Sequence, residues 1–509
     1  MMTMELAKSI SLSILLIFTT FDASCAFRDE PLTLLISFGG FRWDYLSKAN
    51  TPNFDQLIKD GSFAPDGIVS AFVTDTFPNQ HTIATGLWPE SHGIVADEMY
   101  DPVLDDHFDN GKTGNDSSLW WDTGAEPIWV TNQRRGGKSG VYDWPGADVK
   151  IKNTLPNFRN SINSTDTVTF NERVDTVIDW FTSTENPINM GLLYLKEPDH
   201  TGHTYGPDAP EMVGVISMCD ETIGHLVQRL RETNLYNKTN VIITSDHGMT
   251  AVDSTDRLIV LKDILGEITD MLDIIGTSPV VGIRPHDDKF TRIIYTALGS
   301  DEHMSVYLKD EIPDELHYKK NPRIMPIILV ANEGWTIVFS RDDVKDQKGD
   351  DGYSNTLKSM SSFFIAHGPA FKSNFSSLSF NNVDIYALIC QIMGLEAAPN
   401  NGSLAIVSEM LNITYPTPIK PTTSGGGGGA SGGGDGPDDA NPSSKHSALS
   451  QRLIIAIVIA GIVSLTSAIF LTGMCIRQHK NRMKEYTGVP TARTYEASKL
   501  LVEQEDDIA

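Results

Sequence analysis

The chain has 509 residues, 40% of them hydrophobic, so it can bury one large core or as many as three ordinary ones. Lys and Arg number 40 against 66 Asp and Glu, a formal net charge of −26. Nucleic-acid binding draws on clustered cations that release counterions, so this balance argues against it and for an acidic, soluble ectodomain.

In chain order, Lys8 precedes the apolar run Ile10 to Phe18, and Ala23-Ser24-Cys25-Ala26 places small residues where a signal peptidase cuts. This predicts a signal peptide over 1–26. A buried helix is the competing reading. Leu32 to Phe38 reads as a buried strand, as do Asn189 to Leu195 and Asn240 to Thr244. Between the last two, Pro210 to Arg231 reads as a helix with Met212, Val215, Ile216, Ile223, Leu226 and Leu230 on one face.

Strands alternating with helices predict an α/β fold, a doubly wound and mostly parallel sheet flanked by helices, over an ectodomain at 27–415. Ligands bind such sheets beyond the carboxyl ends of the strands. Gly39, Glu197 to His203, and Asp246-His247 each follow a strand, so three loops should meet there.

After Tyr415 the composition turns to Pro, Thr, Ser and Gly, which predicts a stalk over 416–452 with a root-mean-square span of roughly 30 to 36 Å. Leu453 to Ile476 is uncharged and long enough to cross a bilayer. Arg477, Lys480, Arg482 and Lys484 follow it, which places 477–509 in the cytoplasm and predicts a single-pass type I plasma-membrane protein. A glycolipid-anchor signal would not leave such a tail. Within the tail, Glu496 to Leu501 and Tyr486 to Val489 resemble acidic-dileucine and tyrosine-based sorting signals, the basis for expecting endosomal cycling.

Six N-x-Ser/Thr sequons, at Asn115, Asn163, Asn237, Asn374, Asn401 and Asn412, lie between the two apolar segments and predict N-glycans. Of four cysteines, Cys25 leaves with the signal peptide and Cys475 sits at the inner membrane edge. Cys219 and Cys390 could pair or remain buried thiols.

Asp199 and His203, four residues apart, suit a turn of helix presenting both to one cation. Asp246 and His247 are adjacent, so they converge only if the backbone turns sharply, which Gly248 permits. Two such pairs at strand ends are the raw material of a two-metal hydrolase. A third element is Thr76-Phe77-Pro78-Asn79, followed by Thr85-Gly86-Leu87-Trp88-Pro89-Glu90-Ser91-His92-Gly93.

With Phe41-Arg42-Trp43-Asp44-Tyr45-Leu46, Trp144-Pro145-Gly146 and Gly368-Pro369-Ala370-Phe371, these motifs resemble the ectonucleotide pyrophosphatase/phosphodiesterase family of the alkaline phosphatase superfamily. The likeness runs from about residue 32 to 415, and is to the short members without a nuclease-like domain. It implies an alkaline-phosphatase-like fold in which Thr76 is the nucleophile and forms a phosphothreonyl intermediate. One zinc ion would be held by Asp199, His203 and the residue at 351, and a second by the residue at 39, Thr76, Asp246 and His247. Phe77 would line the pocket for the nucleobase, and position 97 would help bind the phosphoryl oxygens of an extracellular nucleotide or other phosphodiester.

Four positions depart from the family pattern. Its Phe-Asp-Gly-Phe-Arg reads Phe38-Gly39-Gly40-Phe41-Arg42, and its distant His is Asp351. An Asn falls at Asp97 and a Lys at Asp75. Asp351 can still ligate zinc through oxygen. Gly39 cannot, which weakens the second metal site and predicts impaired hydrolysis; a pseudoenzyme serving as a surface binding or adhesion protein is the alternative. The family's base-stacking aromatic falls at Ile162, and a choline-phosphoester hydrolase using the extra carboxylates is a minor third reading.

Overall fold

The computed structural model of the chain describes residues 31–109, 114, 116–161 and 168–412. The expected signal peptide, stalk, transmembrane segment and tail, together with Ile162 and the sequons at Asn115 and Asn163, lie outside those residues. Among the described residues no helix is long and apolar enough to cross a membrane.

Eight strands form the central sheet. In chain order they are β1 (Leu32–Phe38), β2 (Ser62–Phe63), β3 (Ser139–Tyr142), β4 (Phe158–Asn160), β5 (Met190–Leu195), β6 (Thr239–Ser245), β7 (Phe364–His367) and β8 (Phe375–Ser376). Their spatial order is β8-β2-β7-β6-β1-β5-β3-β4. The run from β6 to β4 is parallel throughout, and β7 is antiparallel to both of its neighbours. The mixed α/β architecture and its mostly parallel sheet are those expected from the alternating apolar runs.

Side chains alternate between the two faces of the sheet, as a pleated strand requires. Leu34, Ile36 and Phe38 of β1 join Leu193, Leu195, Val241 and Ile243 on one face, while Leu35, Leu192 and Ile242 point to the other. Helices α1 (Pro52–Asp60), α3 (Phe170–Thr182) and α5 (Glu211–Glu232) cover the first face; α2 (Thr76–Thr85) and α6 (Asp384–Met393) cover the second. The short helix α4 (Asp199–Tyr205) follows β5. Helix α5 buries Met212, Ile216, Cys219, Ile223, Leu226 and Leu230, a stripe of helical period. Cys219 and Cys390 are separate buried thiols.

Register is what brings the loops together. Phe38 pairs with Leu195 on one side and with Ser245 on the other, so β1, β5 and β6 end level. The three loops that follow therefore start from one edge. A second sheet, of strands Leu272–Ile275, Val280–Pro285, Met304–Leu308 and Ile327–Ala331, is wholly antiparallel and has its own apolar cluster. Sequence periodicity did not reveal that sheet, because its pairings join segments as far apart as 280 and 330.

Candidate active site and metal centre

Thr76 is the first residue of α2, with the extended Asp75 as its N-cap. Asn79, one turn on, ties down the approach to it: its amide donates to Val73 O at 2.8 Å and Asp75 O at 2.9 Å, and its carbonyl accepts the Ala71 N–H at 2.7 Å. The Thr-Phe-Pro-Asn motif thus carries its own clamp. Thr76 Oγ1 then lies 3.1 Å from His247 Nε2.

Asp199 and His203 sit on successive turns of α4, with His203 Nε2 3.4 Å from Asp199 Oδ1. His203 Nδ1 faces Gly349 O at 3.0 Å, and His247 Nδ1 faces Gly248 O at 2.8 Å. A ring nitrogen held on a carbonyl carries the proton and turns the other nitrogen inward. Both inward nitrogens meet Asp351: His203 Nε2 is 3.1 Å from Oδ1, and His247 Nε2 is 3.2 Å from Oδ2.

Asp246 is placed differently from the other expected ligands. It is fully buried, and its Oδ1 accepts the N–H of Gly40 and of His247, each at 2.9 Å, and the Ser245 hydroxyl at 3.1 Å. Gln80 Nε2 donates to its Oδ2 at 2.9 Å. The carboxylate braces the turn after β6 and belongs to neither of the two groups of potential ligands, Asp199–His247–Asp351 and His203–Asp350–Asp351. Asp350 enters the second group, and no spacing argument had singled it out.

These donors are imidazole nitrogens and carboxylate oxygens, the set that zinc takes. Two of the carboxylate oxygens, Asp199 Oδ1 and Asp350 Oδ2, are buried with no hydrogen-bond partner among the described residues. The residues present fit a divalent cation. Electrostatics agree. Burial would lower both imidazoles, but Asp199 and Asp351 override it and push His203 up to about 12, and Asp246, Asp351 and Asp199 push His247 up to about 10. Burial and Asp351 push Asp350 up to about 8. A bound divalent cation would favour the deprotonated forms of the same groups.

At Gly39 the chain offers no ligand and little room for one. A Cβ there would lie 2.7 Å from the Tyr194 hydroxyl and 3.2 Å from Asp199 Cβ. Tyr194 is buried, so the phenol stands where a first-strand carboxylate would begin.

Asp97 lies at the N-terminus of α2. Its Oδ1 accepts the Phe77 N–H at 2.8 Å, and its own N–H reaches Asp75 Oδ2 at 3.4 Å. A helix N-terminus favours a phosphoryl oxygen there, yet a protein carboxylate holds the donor. Burial, then Asp97 and Asp351, raise Asp75 well above the ordinary carboxylate range.

Two cavities open on this centre. One of about 530 Å³ is lined by Thr76, Phe77, Trp121, Trp144, Tyr194 and Lys196 among others, and the other, of about 410 Å³, lies against the antiparallel sheet. Asp97, His203 and Asp351 line both. Phe77 packs against Trp121 and Phe108, each with ring centroids 5.9 Å away, so its pocket keeps aromatic walls that do not depend on position 162.

Comparison with known proteins gives a consistent picture. The family profile described as "Type I phosphodiesterase / nucleotide pyrophosphatase" matches residues 33–354. Ectonucleotide pyrophosphatase/phosphodiesterase family member 5 from Homo sapiens is 43% identical over 419 residues, covering 82% of this chain and 85% of that relative. The bis(5'-adenosyl)-triphosphatase enpp4 of Xenopus laevis is 44% identical over 378 residues, 74% of this chain and 80% of the relative. Among solved structures, murine ectonucleotide pyrophosphatase/phosphodiesterase 5, as an inactive threonine-to-alanine variant in complex with AMP, superposes with a TM-score of 0.71 at 42% identity, covering 75% of this chain and all of that one.

Proposed function

The chain belongs to the ectonucleotide pyrophosphatase/phosphodiesterase family, whose members are metal-dependent hydrolases, and from that premise we propose that it is a cell-surface hydrolase of nucleotide phosphodiester or pyrophosphate bonds, slowed by its own site. The observation that carries this reading is Thr76 Oγ1 at 3.1 Å from His247 Nε2, at the mouth of a cavity walled by Phe77, Trp121 and Trp144. Thr76 attacks phosphorus, the bond to the leaving oxygen breaks, and water hydrolyses the phosphothreonine in a second step. Asp199, His203, His247 and Asp351 would hold zinc, which when bound stabilises the threonine alkoxide and the phosphoryl oxygens.

Phe77 and the two tryptophans supply an apolar wall for a base. A relative that binds AMP, and whose threonine-to-alanine variant is inactive, supports both roles. The slowing has a local cause: Gly39 removes a ligand, and Asp97 competes with the substrate for the Phe77 N–H. That same contact favours a second reading, a protein that binds a ligand at the surface without turning it over. The signal peptide, the apolar segment 453–476, the basic residues after it and the sequons support display at the plasma membrane as a glycosylated type I protein, with the tail motifs bearing on endocytosis.

Hydrolysis of the nitrophenyl ester of thymidine monophosphate and of diadenosine triphosphate by the full chain in detergent tests this. Slow zinc-dependent turnover that Thr76→Ala abolishes is expected. No turnover, or turnover that survives Thr76→Ala, would leave the binding reading.

A further inference from the structure

Lys196 stands across from Gly39. Phe38 of β1 pairs with Leu195 of β5, and the Gly39 N–H donates to Leu195 O at 2.8 Å, so the next residue of each chain segment lies beside the other. A Cβ on Gly39 would come 3.1 Å from Lys196 O. A carboxylate at position 39 would offer that lysine a neighbour of opposite charge; glycine offers none.

The lysine is exposed and lines the cavity of about 530 Å³, where it is the one Lys or Arg among the described residues. The carboxylates lining that cavity are engaged elsewhere. Asp97 accepts the Phe77 N–H, Asp143 faces Arg173 at 3.3 Å, and Asp148 faces Arg159 at 3.3 Å. Asp199 and Asp351 face His203 at 3.4 Å and 3.1 Å. Among the described residues the Lys196 ammonium has neither a hydrogen bond nor an ion pair.

An ammonium left unpaired beside an aromatic wall suits a ligand with a flat ring and an anionic group. Phe77 and Trp144 offer the wall, and Thr76 lines the same cavity. Lysine meets phosphate as a point charge on a flexible stem, so it needs no fixed approach angle.

We infer that Lys196 is the phosphate-binding cation of this cavity, a specificity residue that favours a nucleotide over its nucleoside by pairing with a phosphoryl oxygen. The phosphate it meets is either the one presented to Thr76 or a second one carried on the ribose. The inference rests on reading the cavity as a nucleotide site, but it concerns binding and not turnover.

Calorimetric titration of the full chain in detergent with adenosine, AMP and adenosine 3′,5′-bisphosphate tests it. Lys196→Gln should weaken one or both phosphorylated ligands roughly ten- to hundredfold, the scale of a hydrogen bond between charged groups, and leave adenosine unchanged. Lys196→Arg should keep most of the wild-type affinity, because the charge remains. Wild-type affinity should fall as salt rises, and fall less steeply in Lys196→Gln. Loss with both phosphorylated ligands identifies the phosphate at Thr76; loss with the bisphosphate alone identifies a ribose phosphate. Unchanged affinity for both, an equal loss for adenosine, or a wild type that binds neither phosphorylated ligand overturns the inference. Lys196-dependent binding without nucleotide hydrolysis would remove the hydrolase reading and leave this one standing, and hydrolysis with binding indifferent to Lys196 would do the reverse.

Discussion

Asp97 Oδ1 accepts the backbone N–H of Phe77 at 2.8 Å, so a carboxylate of the protein fills a first-turn donor of the helix that carries Thr76. The helix N-terminus is an anion site, and here the anion is internal.

Asp97→Asn should therefore open that donor to a ligand. An amide keeps a carbonyl for the Phe77 N–H while offering its own N–H to a phosphoryl oxygen. A gain of about 2 kcal/mol, roughly thirtyfold in affinity for AMP, is the expected scale for swapping a repelling charge for a donor. Calorimetric titration of AMP into wild type and variant measures it; equal affinities would mean that the Asp97 contact does not limit anion binding.

Gly39→Asp should not simply restore a ligand. Its Cβ would press to 2.7 Å from the Tyr194 hydroxyl, and overpacking a buried site costs about 1 to 3 kcal/mol. Removing that hydroxyl makes room. The single variant should lose urea stability, and adding Tyr194→Phe should recover most of it. A Gly39→Asp chain as stable as wild type would show that Tyr194 yields freely.

His81 is buried with neither ring nitrogen hydrogen-bonded among the described residues, and burial lowers it to about 3. Burial also lowers the neighbouring His92, whose ring centroid is 4.9 Å away. Below the ordinary histidine range of about 6.5 the unfolded chain takes up these protons while the folded one does not. Stability is therefore full above that range and falls as pH drops from about 6.5 towards 3, by roughly 1.4 kcal/mol per pH unit for each group. Urea midpoints from pH 7 to 4.5 should show this slope, and His81→Phe should remove about one proton's share. An unchanged slope in the variant would mean that His81 is protonated in the fold.

The described sequons differ in accessibility. Asn237, Asn374 and Asn401 are exposed, whereas Asn412 Nδ2 donates to Pro369 O at 3.1 Å and Phe371 O at 2.9 Å. A glycosylated asparagine amide keeps one N–H, so it cannot make both bonds. Glycopeptide mass spectrometry of the expressed chain should find glycans at the first three and little or none at Asn412. Full occupancy at Asn412 would require those two bonds to open.

How much of this was written in the chain depends on the range of the interaction involved. The strand at Leu32 to Phe38, the strands ending near Leu195 and Thr244, and the stripe of α5 are local patterns of apolar residues, and they were legible because burial on a pleat or a helix has a short period. The residues after those strands were legible as site residues for the same reason: parallel strands put their carboxyl ends on one side. The losses at Gly39 and Asp351 were visible too, as single letters in otherwise kept motifs.

Tertiary structure decided what those letters mean. Register sets β1, β5 and β6 level at Phe38, Leu195 and Ser245, and that alignment brings Asp199 and His247 into reach of Asp351. Hydrogen bonds from the distant Gly40 and Gln80 join those from the adjacent Ser245 and His247 in holding the Asp246 carboxylate, and a two-residue pairing across about 100 positions makes Asp350 a neighbour of His203. Tyr194 comes to stand against Gly39 only when two adjacent strands are laid side by side. Such contacts have no sequence period, because they are fixed by how separate elements pack and not by the repeat within any one of them.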